Sequence, residues 1–286
     1  MNASIIIAVY NRREELRECL EALTPAALEA WKAEVLVIDD GSTDGTAEMV
    51  ARDFPHVRRL KTPGRMGPTG ARNLAAAEAK SPLLIFLDSD AVPEAPWLEE
   101  MTAKDDGKTV LIGEILDYHS LKLQYGPRRS TFIGKSLPCK PERANVGPSC
   151  NLAIPAAAFK ELGGFWEEIP FGFEDSFLCI NARAQGMAFR YLEKAVVRHK
   201  GKKERVGDTI RVTEHNGVYA MLHFYRGSFW KQLFFTIANG AWLFTRCILW
   251  TTQGKAADAR QLWQGWTSAY KRYYFPASTA EKQELP

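Results

Sequence analysis

The chain has 286 residues, 46% of them hydrophobic and 25% charged, which is the mixture of a soluble folded protein and too apolar for a disordered one. Basic and acidic residues nearly balance, and the net charge of +3 is too small to argue for a nucleic-acid partner. Five cysteines (Cys19, Cys139, Cys150, Cys179 and Cys247) are irregularly spaced with no C-x-x-C, which fits a reducing compartment and no zinc site.

In chain order, residues 4–10 (SIIIAVY) read as a buried strand. The run is too short for a signal-peptide core and no basic segment precedes it, so the expectation is the first strand of a cytoplasmic protein. Residues 14–23 place Leu16, Leu20 and Leu23 at helical spacing. EVLVID (34–39) is a second strand, followed by the turn GSTDGT and a helix. VRRLK (57–61) is a third strand. A glycine-rich loop, TPGRMGPTG, leads into the helix ARNLAAAEAK and then the strand PLLIFL. Alternating strands and helices with near-continuous apolar strands predict an α/β fold, a Rossmann-like, mostly parallel central sheet with helices on both faces. Ligands of such sheets bind beyond the carboxyl ends of the strands. Asp39-Asp40, Asp44 and Asp88/Asp90 all fall at those ends.

Regularity drops between about 105 and 150. It returns with CNLAIP as a strand, AAAFKEL as a helix ended by Gly163-Gly164, SFLCINARAQG as a helix and FRYLEKAVVRHK as a strand. From about 208 the chain becomes helical and crowded with aromatics. Its uncharged run, residues 232–245, has fourteen residues, whereas a spanning helix needs about 20. Two readings stay open for this tail: a helix packed on the domain, or an in-plane membrane helix with Trp, Phe, Lys and Arg at the interface.

Five constellations bear on chemistry. Asp88-Ser89-Asp90 follows a strand too apolar to need two adjacent repelling acids. A hard divalent cation with a diphosphate would relieve that repulsion, and a solvated turn is the plain alternative. In VIDDGSTDGT, one of Asp39 and Asp40 is expected to be structural and the other to touch ligand, with Tyr10 available for stacking on a base. The plain alternatives are strand-end packing for Tyr10, helix capping for Asp39 and a turn role for Asp44. In GRMGPTGARN, the backbone N–H groups at the helix start, with Arg65 and Arg72, suit a diphosphate. In FGFEDSF, a carboxylate shielded by Phe171, Phe173 and Trp166 would have a raised pKa and suit a general base, against simple N-capping by Asp175. His199 closes the last strand as a metal or phosphate contact. Arg128, Arg129, Lys135, Lys140 and Arg143 either meet an acidic acceptor or form a solvated loop.

Taken in order, SIIIAVYNR, VLVIDDGSTDGT, GPTGARNLAAAEAKSPLLIFLDSD and GPSCNLAIPAAAFKELGGFWEEIPFGFEDSFLCINARAQG resemble a glycosyltransferase family 2 enzyme with the GT-A fold, over residues 3 to 200. The resemblance implies inverting transfer from a nucleotide-diphosphate sugar to a glycan or lipid-linked acceptor in surface-polysaccharide, lipopolysaccharide or cell-wall assembly. It implies Tyr10, Asp40 and Arg72 beside the nucleotide. Asp88 and Asp90 form its D-x-D element, with Asp90 the direct ligand of Mg2+ or Mn2+ and His199 near the metal or diphosphate. Asp175 would be the general base and Glu174 would orient the acceptor. Residues 1–205 would form the catalytic domain, binding donor in about 1–112 and acceptor in about 113–205. Residues 206–286 would form a helical extension at the cytoplasmic face of a membrane.

There are departures. Ala8-Val9 stand where many relatives have a proline, and QLWQGW lacks the Q-x-x-R-W order of processive synthases. A nucleotidyltransferase and a non-catalytic nucleotide-sugar-binding module are the competing readings. The first lacks its glycine-rich, basic signature after strand one. The second sits poorly with the joint presence of Asp40, Asp90 and Asp175.

Overall fold

The computed structural model describes residues 2–201 and 209–276. These fall into two compact units, one of residues 2–130 and 136–201, the other of residues 131–135 and 209–276.

The first unit is built on a mixed sheet. Its elements in chain order are β1 (Ala3–Val9), α1 (Arg13–Ala22), α2 (Pro25–Ala30), β2 (Ala33–Asp39), α3 (Thr46–Asp53), β3 (Arg58–Lys61), α4 (Gly67–Glu78), β4 (Leu83–Asp88), β5 (Ala91–Pro93), α5 (Trp97–Ala103), β6 (Thr109–Asp117), β7 (Leu123–Tyr125), β8 (Arg128–Ser130), β9 (Ser136–Pro138), β10 (Asn151–Pro155), α6 (Ala156–Glu161), α7 (Glu174–Ala184) and β11 (Ala188–His199). The strand order is β3-β2-β1-β4-β10-β6-β11-β5, with β7 beside β6. β3, β2, β1 and β4 are parallel. β10 then runs antiparallel to both β4 and β6. Helices α2 and α5 and strand β5 are elements that hydrophobic periodicity did not predict, each being too short to display a period.

β1 is apolar on both faces because both are covered. Ile5 and Ile7 enter one core with Leu16 and Leu20 of α1, Met49 of α3 and Trp97 of α5. Ile6 enters the other with Ala71 and Ala75 of α4 and Leu178 of α7. Each fully buried isoleucine contributes roughly 1.5–3 kcal/mol. The register pairs Val9 with Asp39 and Ala8 with Asp88, so the carboxyl ends of β1, β2 and β4 share one rim. Past Asp88, the turn at Ser89-Asp90 leads into β5, which pairs antiparallel with β11 and sets Ala91 opposite His199. Residues distant in sequence thus meet at one rim.

The far side of the sheet hangs on Asn151. This fully buried side chain accepts the Trp97 Nε1–H at 2.7 Å and donates to the carbonyls of Glu114 and Ala195, each at 2.9 Å. The β11 register shifts between Leu192 and Val196, and the amide of Asn151 fills in for the interrupted ladder. A Cβ on Gly113 would collide with the Asn151 amide and the Ala195 carbonyl. Substituting Asn151 by the isosteric leucine strands one donor and two acceptors in the core. It should cost about 3 kcal/mol, read as a lower urea midpoint with an unchanged m value.

In the second unit, α8 (Thr209–Phe224), α9 (Phe229–Thr252) and α10 (Ala256–Tyr274) form a helical cluster. The 131–135 segment packs into it. Phe132 stacks on Tyr225 with ring centres 4.6 Å apart, and Lys135 reaches Glu214 at 2.5 Å and lies over the Trp242 ring. Lys135 is therefore occupied, and Arg128 is tied to Ser136 within its own hairpin. Both have partners within the protein and are not simply solvated loop charges.

Candidate active site

Where β1 ends, Tyr10 is half-exposed, and the Arg65 guanidinium lies 3.3 Å over its ring centre. Asn11 follows with φ of 49°, a left-handed conformation that Asn tolerates better than most residues. Its Oδ1 accepts the Thr43 N–H at 2.7 Å and its N–H donates to Ser42 Oγ. This exchange ties the loop after β1 to the loop after β2. It also aims Arg12 across the rim, where its guanidinium pairs with Asp90.

Asp39 and Asp44 are turn residues. Asp39 Oδ1 accepts the Ser42 N–H, and Asp44 Oδ1 accepts the Thr46 N–H and hydroxyl. Asp40 is buried and accepts from the Thr62 hydroxyl (3.0 Å) and from the backbone N–H groups of Met66 (2.8 Å) and Gly67 (2.9 Å), with Arg65 at 3.4 Å. This corrects the expectation for the glycine-rich loop. Two of the N–H groups at the start of α4 that were read as a diphosphate cradle are already satisfied by a carboxylate of the chain itself.

Arg72 lines the same cavity as Tyr10, Asp40 and Asp88. It is buried, donates to Asp88 Oδ1 at 2.6 Å and lies 3.5 Å from Glu174 Oε1. It binds two walls of the cavity together. Glu174 and Asp175 open α7. Glu174 is buried, and its Oε2 accepts the Phe173 N–H at 3.0 Å. Asp175 accepts the N–H groups of Ser176 (2.6 Å) and Ser149 (3.3 Å). Burial, reinforced by the charge of Asp175 and opposed by Arg72, pushes Glu174 up to about 7. Burial also raises Asp175, against its two N–H donors and Arg72. No side chain caps α7. The helix before this loop ends in two left-handed glycines, Gly163 and Gly164. At Gly164 a Cβ would also press on Asn73 Oδ1, which holds the Phe165 N–H.

Tyr10, Arg12, Asp40, Asp88, Asp90, Glu174 and His199 line one cavity of about 530 Å3. Asp175 sits just outside its wall, on the side of Ser149 and Tyr125. His199 Nε2 lies 3.3 Å from Asp90 Oδ1 and 3.8 Å from Asp88 Oδ2, while its Nδ1 is 3.0 Å from Gln124 Oε1. With Gln124 Oε1 accepting, Nδ1 carries a proton. Burial opposes charge on the ring, but Asp90 and Asp88 raise its pKa and favour a proton on Nε2 as well, so a cation taking this position would displace that proton. Burial pushes Asp90 up, but His199 and Arg12 together hold it at about 2. Two carboxylates and an imidazole nitrogen facing one point fit a divalent cation with oxygen and nitrogen preference.

Arg12, Thr62 and Cys150 are members of this neighbourhood that the sequence reading did not single out. Arg12 lies between the predicted strand (4–10) and helix (14–23), and only the turn at Asn11 reveals its direction.

The model of the family described as Glycosyl transferase family 2 matches residues 4–163. Among curated proteins, the chain is 31% identical over 168 residues to Glycosyltransferase AglE of Haloferax volcanii, spanning 57% of this chain and 55% of that one. It is 27% identical over 216 residues to the pre-mycofactocin glycosyltransferase of Mycobacterium tuberculosis, spanning 69% of this chain and 42% of that one. The chain thus spans about half the length of these relatives. Among solved structures, GalNAc-T7 with UDP, GalNAc and Mn2+ superposes with a TM-score of 0.63 at 18% identity, over 77% of this chain and 47% of that one. The mannosyltransferase PcManGT from Pyrobaculum calidifontis, in complex with GDP-Man and Mn2+, gives 0.59 at 16% identity, over 97% of this chain and 88% of that one. At these identities the likeness is one of fold, the GT-A fold.

Proposed function

The chain belongs to glycosyl transferase family 2, and from that premise we propose that it transfers a sugar, with inversion, from a nucleotide-diphosphate sugar to a hydroxyl of a glycan or lipid-linked acceptor. The observation that carries this reading is the convergence of Asp88, Asp90, His199 and Glu174 on one rim cavity, with Asp175 at its edge. Solved neighbours were captured with UDP, with GDP-Man and with Mn2+, which supports a nucleotide-sugar donor and a divalent ion.

Asp88, Asp90 and His199 would hold a Mg2+ or Mn2+ ion, which would supply charge stabilisation for the departing diphosphate. Arg12, already at Asp90, adds a fixed positive charge beside the same point. Tyr10 offers a stacking face for the base once Arg65 yields it, and Asp40 holds the loop that carries Arg65. Arg72, beside the nucleotide as the resemblance implied, also fixes Asp88 and Glu174 relative to each other. Asp175 takes the proton from the acceptor hydroxyl and Glu174 orients that hydroxyl. Donor binding then falls to about residues 1–112 and acceptor binding to about 113–205. Thermal melting with UDP, GDP, dTDP and CMP, each with Mn2+ and with EDTA, tests the reading. A metal-dependent rise with one nucleotide is expected. No rise with any of them would overturn it.

A second observation concerns the helical unit. α9 is long and apolar enough to cross a membrane by length and composition, yet it is two-faced. Phe235, Asn239 and Leu243 are buried, while Trp230, Ile237, Phe244 and Ile248 are exposed. On α10, Trp263, Trp266, Tyr270 and Tyr274 form a run of neighbouring rings. This favours a helix pair lying in the plane of a membrane interface over one crossing it, and a site of action at the cytoplasmic face. Replacing Trp230, Ile237 and Phe244 together by glutamate should abolish co-flotation with vesicles containing anionic lipid. Unchanged flotation would remove this unit as the anchor.

A further inference from the structure

Cys150 is a buried core residue whose sulfur the proposed reaction does not use. It precedes β10, whose antiparallel pairing with β4 sets Asn151 opposite Leu87. That register brings the cysteine beside the end of β4, where Asp88 lies. Its sulfur, a carboxylate oxygen of Asp88 and a ring nitrogen of His199 all lie within 4.8 Å of one another. Asp88 and His199 face the cavity, whereas Cys150 is buried at 4% exposure under its floor. On the other flank, Asp90 is engaged by Arg12. The rim therefore presents two overlapping donor sets that share Asp88 and His199. One is completed by the oxygen of Asp90, the other by the sulfur of Cys150.

These sets differ in the ions they prefer. Mn2+ stands at the weak end of the divalent series and Zn2+ well above it, and a thiolate donor widens that gap because soft sulfur favours Zn2+ and its heavier relative Cd2+. A sulfur, a nitrogen and an oxygen are a ligand set that zinc takes, with a fourth position left to water or substrate. The five cysteines show no zinc spacing in the sequence. The site exists only because β10 lies beside β4.

We propose that Cys150, Asp88 and His199 form a site for a thiophilic divalent cation of the Zn2+ class, which excludes Mn2+ or Mg2+ from the neighbouring Asp88–Asp90–His199 position. On binding, the Cys150 S–H bond breaks, its proton passes to solvent and the sulfur electron pair forms the metal–sulfur bond. Nothing is oxidised or reduced. Because Asp88 and His199 serve both sets, the two occupancies are mutually exclusive, and Zn2+ acts as a competitor of the hard ion. The inference concerns metal binding alone and stands whether or not the chain transfers a sugar.

Cd2+ titration of the full chain, followed by ultraviolet absorbance, reads the thiolate directly through its ligand-to-metal charge-transfer band. We expect a band that saturates at equimolar Cd2+, persists in the C139S/C247S double variant and is lost in C150S. His199→Ala should weaken Cd2+ binding by about tenfold or more, which tests the site should C150S fold poorly. Zn2+ added to protein loaded with Mn2+ should raise the free-Mn2+ paramagnetic resonance signal. No band in the wild type, a band that survives in a folded C150S, or Mn2+ retention in the presence of Zn2+ would each overturn the proposal.

Discussion

Asp175→Asn should lower turnover about 1,000-fold while the metal-dependent melting shift with nucleotide stays in place. Asp175 holds the Ser176 N–H on Oδ1 and the Ser149 N–H on Oδ2. Asparagine therefore keeps an acceptor for only one of them, at a local cost of about 1–3 kcal/mol at the start of α7 that the unliganded melting temperature reads separately from turnover. What it removes is basicity. Of the two adjacent acids, Glu174 is pinned between Arg72 and the Phe173 N–H, and burial raises the pKa of both. Asp175 keeps two N–H donors on its carboxylate and lies on the Ser149 side, at the edge of the segment without a donor motif. A base that must approach the sugar from the face opposite the diphosphate belongs on that side. Released nucleoside diphosphate, measured at saturating donor with and without acceptor, separates the roles. Full turnover in D175N with loss in Glu174→Gln would exchange the two assignments.

How much of this was legible beforehand depended on which force set each position. PLLIFL running into Asp88-Ser89-Asp90 points to a rim site because two repelling acids at the end of a buried strand call for a cation or for donors of the chain itself, as Asp39-Asp40 find after β2. The parallel order of β1, β2 and β4 follows from their unbroken apolar runs. The glycine-rich loop was misread for a physical reason. A helix start needs an anion, and nothing local says whether a ligand phosphate or a carboxylate of the chain supplies it. Here Asp40, twenty-six residues before Met66, does so. Arg72 was legible as a cation near the site, but not as the tie between Asp88 and Glu174, because that depends on α4 and α7 meeting across the sheet. The Cys150 position was invisible in the sequence. It follows from strand register, which is set by long-range pairing and not by any local pattern.

The same dependence on convergence shapes the second large effect. Asp90→Asn should remove most of the stabilisation that Mn2+ and nucleotide confer. Asp90 Oδ1 and the Nε2 of His199 lie 3.3 Å apart, and Asp90 is held ionised at about 2 by His199 and Arg12. Asp90 meets Arg12 with Oδ2 and His199 with Oδ1, so an asparagine of the same shape keeps an acceptor for one of them and removes one negative charge from the ion's position. Loss of an outer-shell partner alone typically weakens metal binding 10- to 100-fold, and a lost ligand charge should cost at least about 100-fold. At a ligand concentration about 100 times the dissociation constant, binding adds about 2.7 kcal/mol, and a 100-fold weaker complex retains about 0.4 kcal/mol. The melting shift should therefore nearly vanish in D90N while the unliganded protein still unfolds cooperatively. Because Cys150, Asp88 and His199 remain, the Cd2+ band should survive this substitution. An undiminished Mn2+ shift in D90N would mean that the hard ion is held elsewhere on the rim.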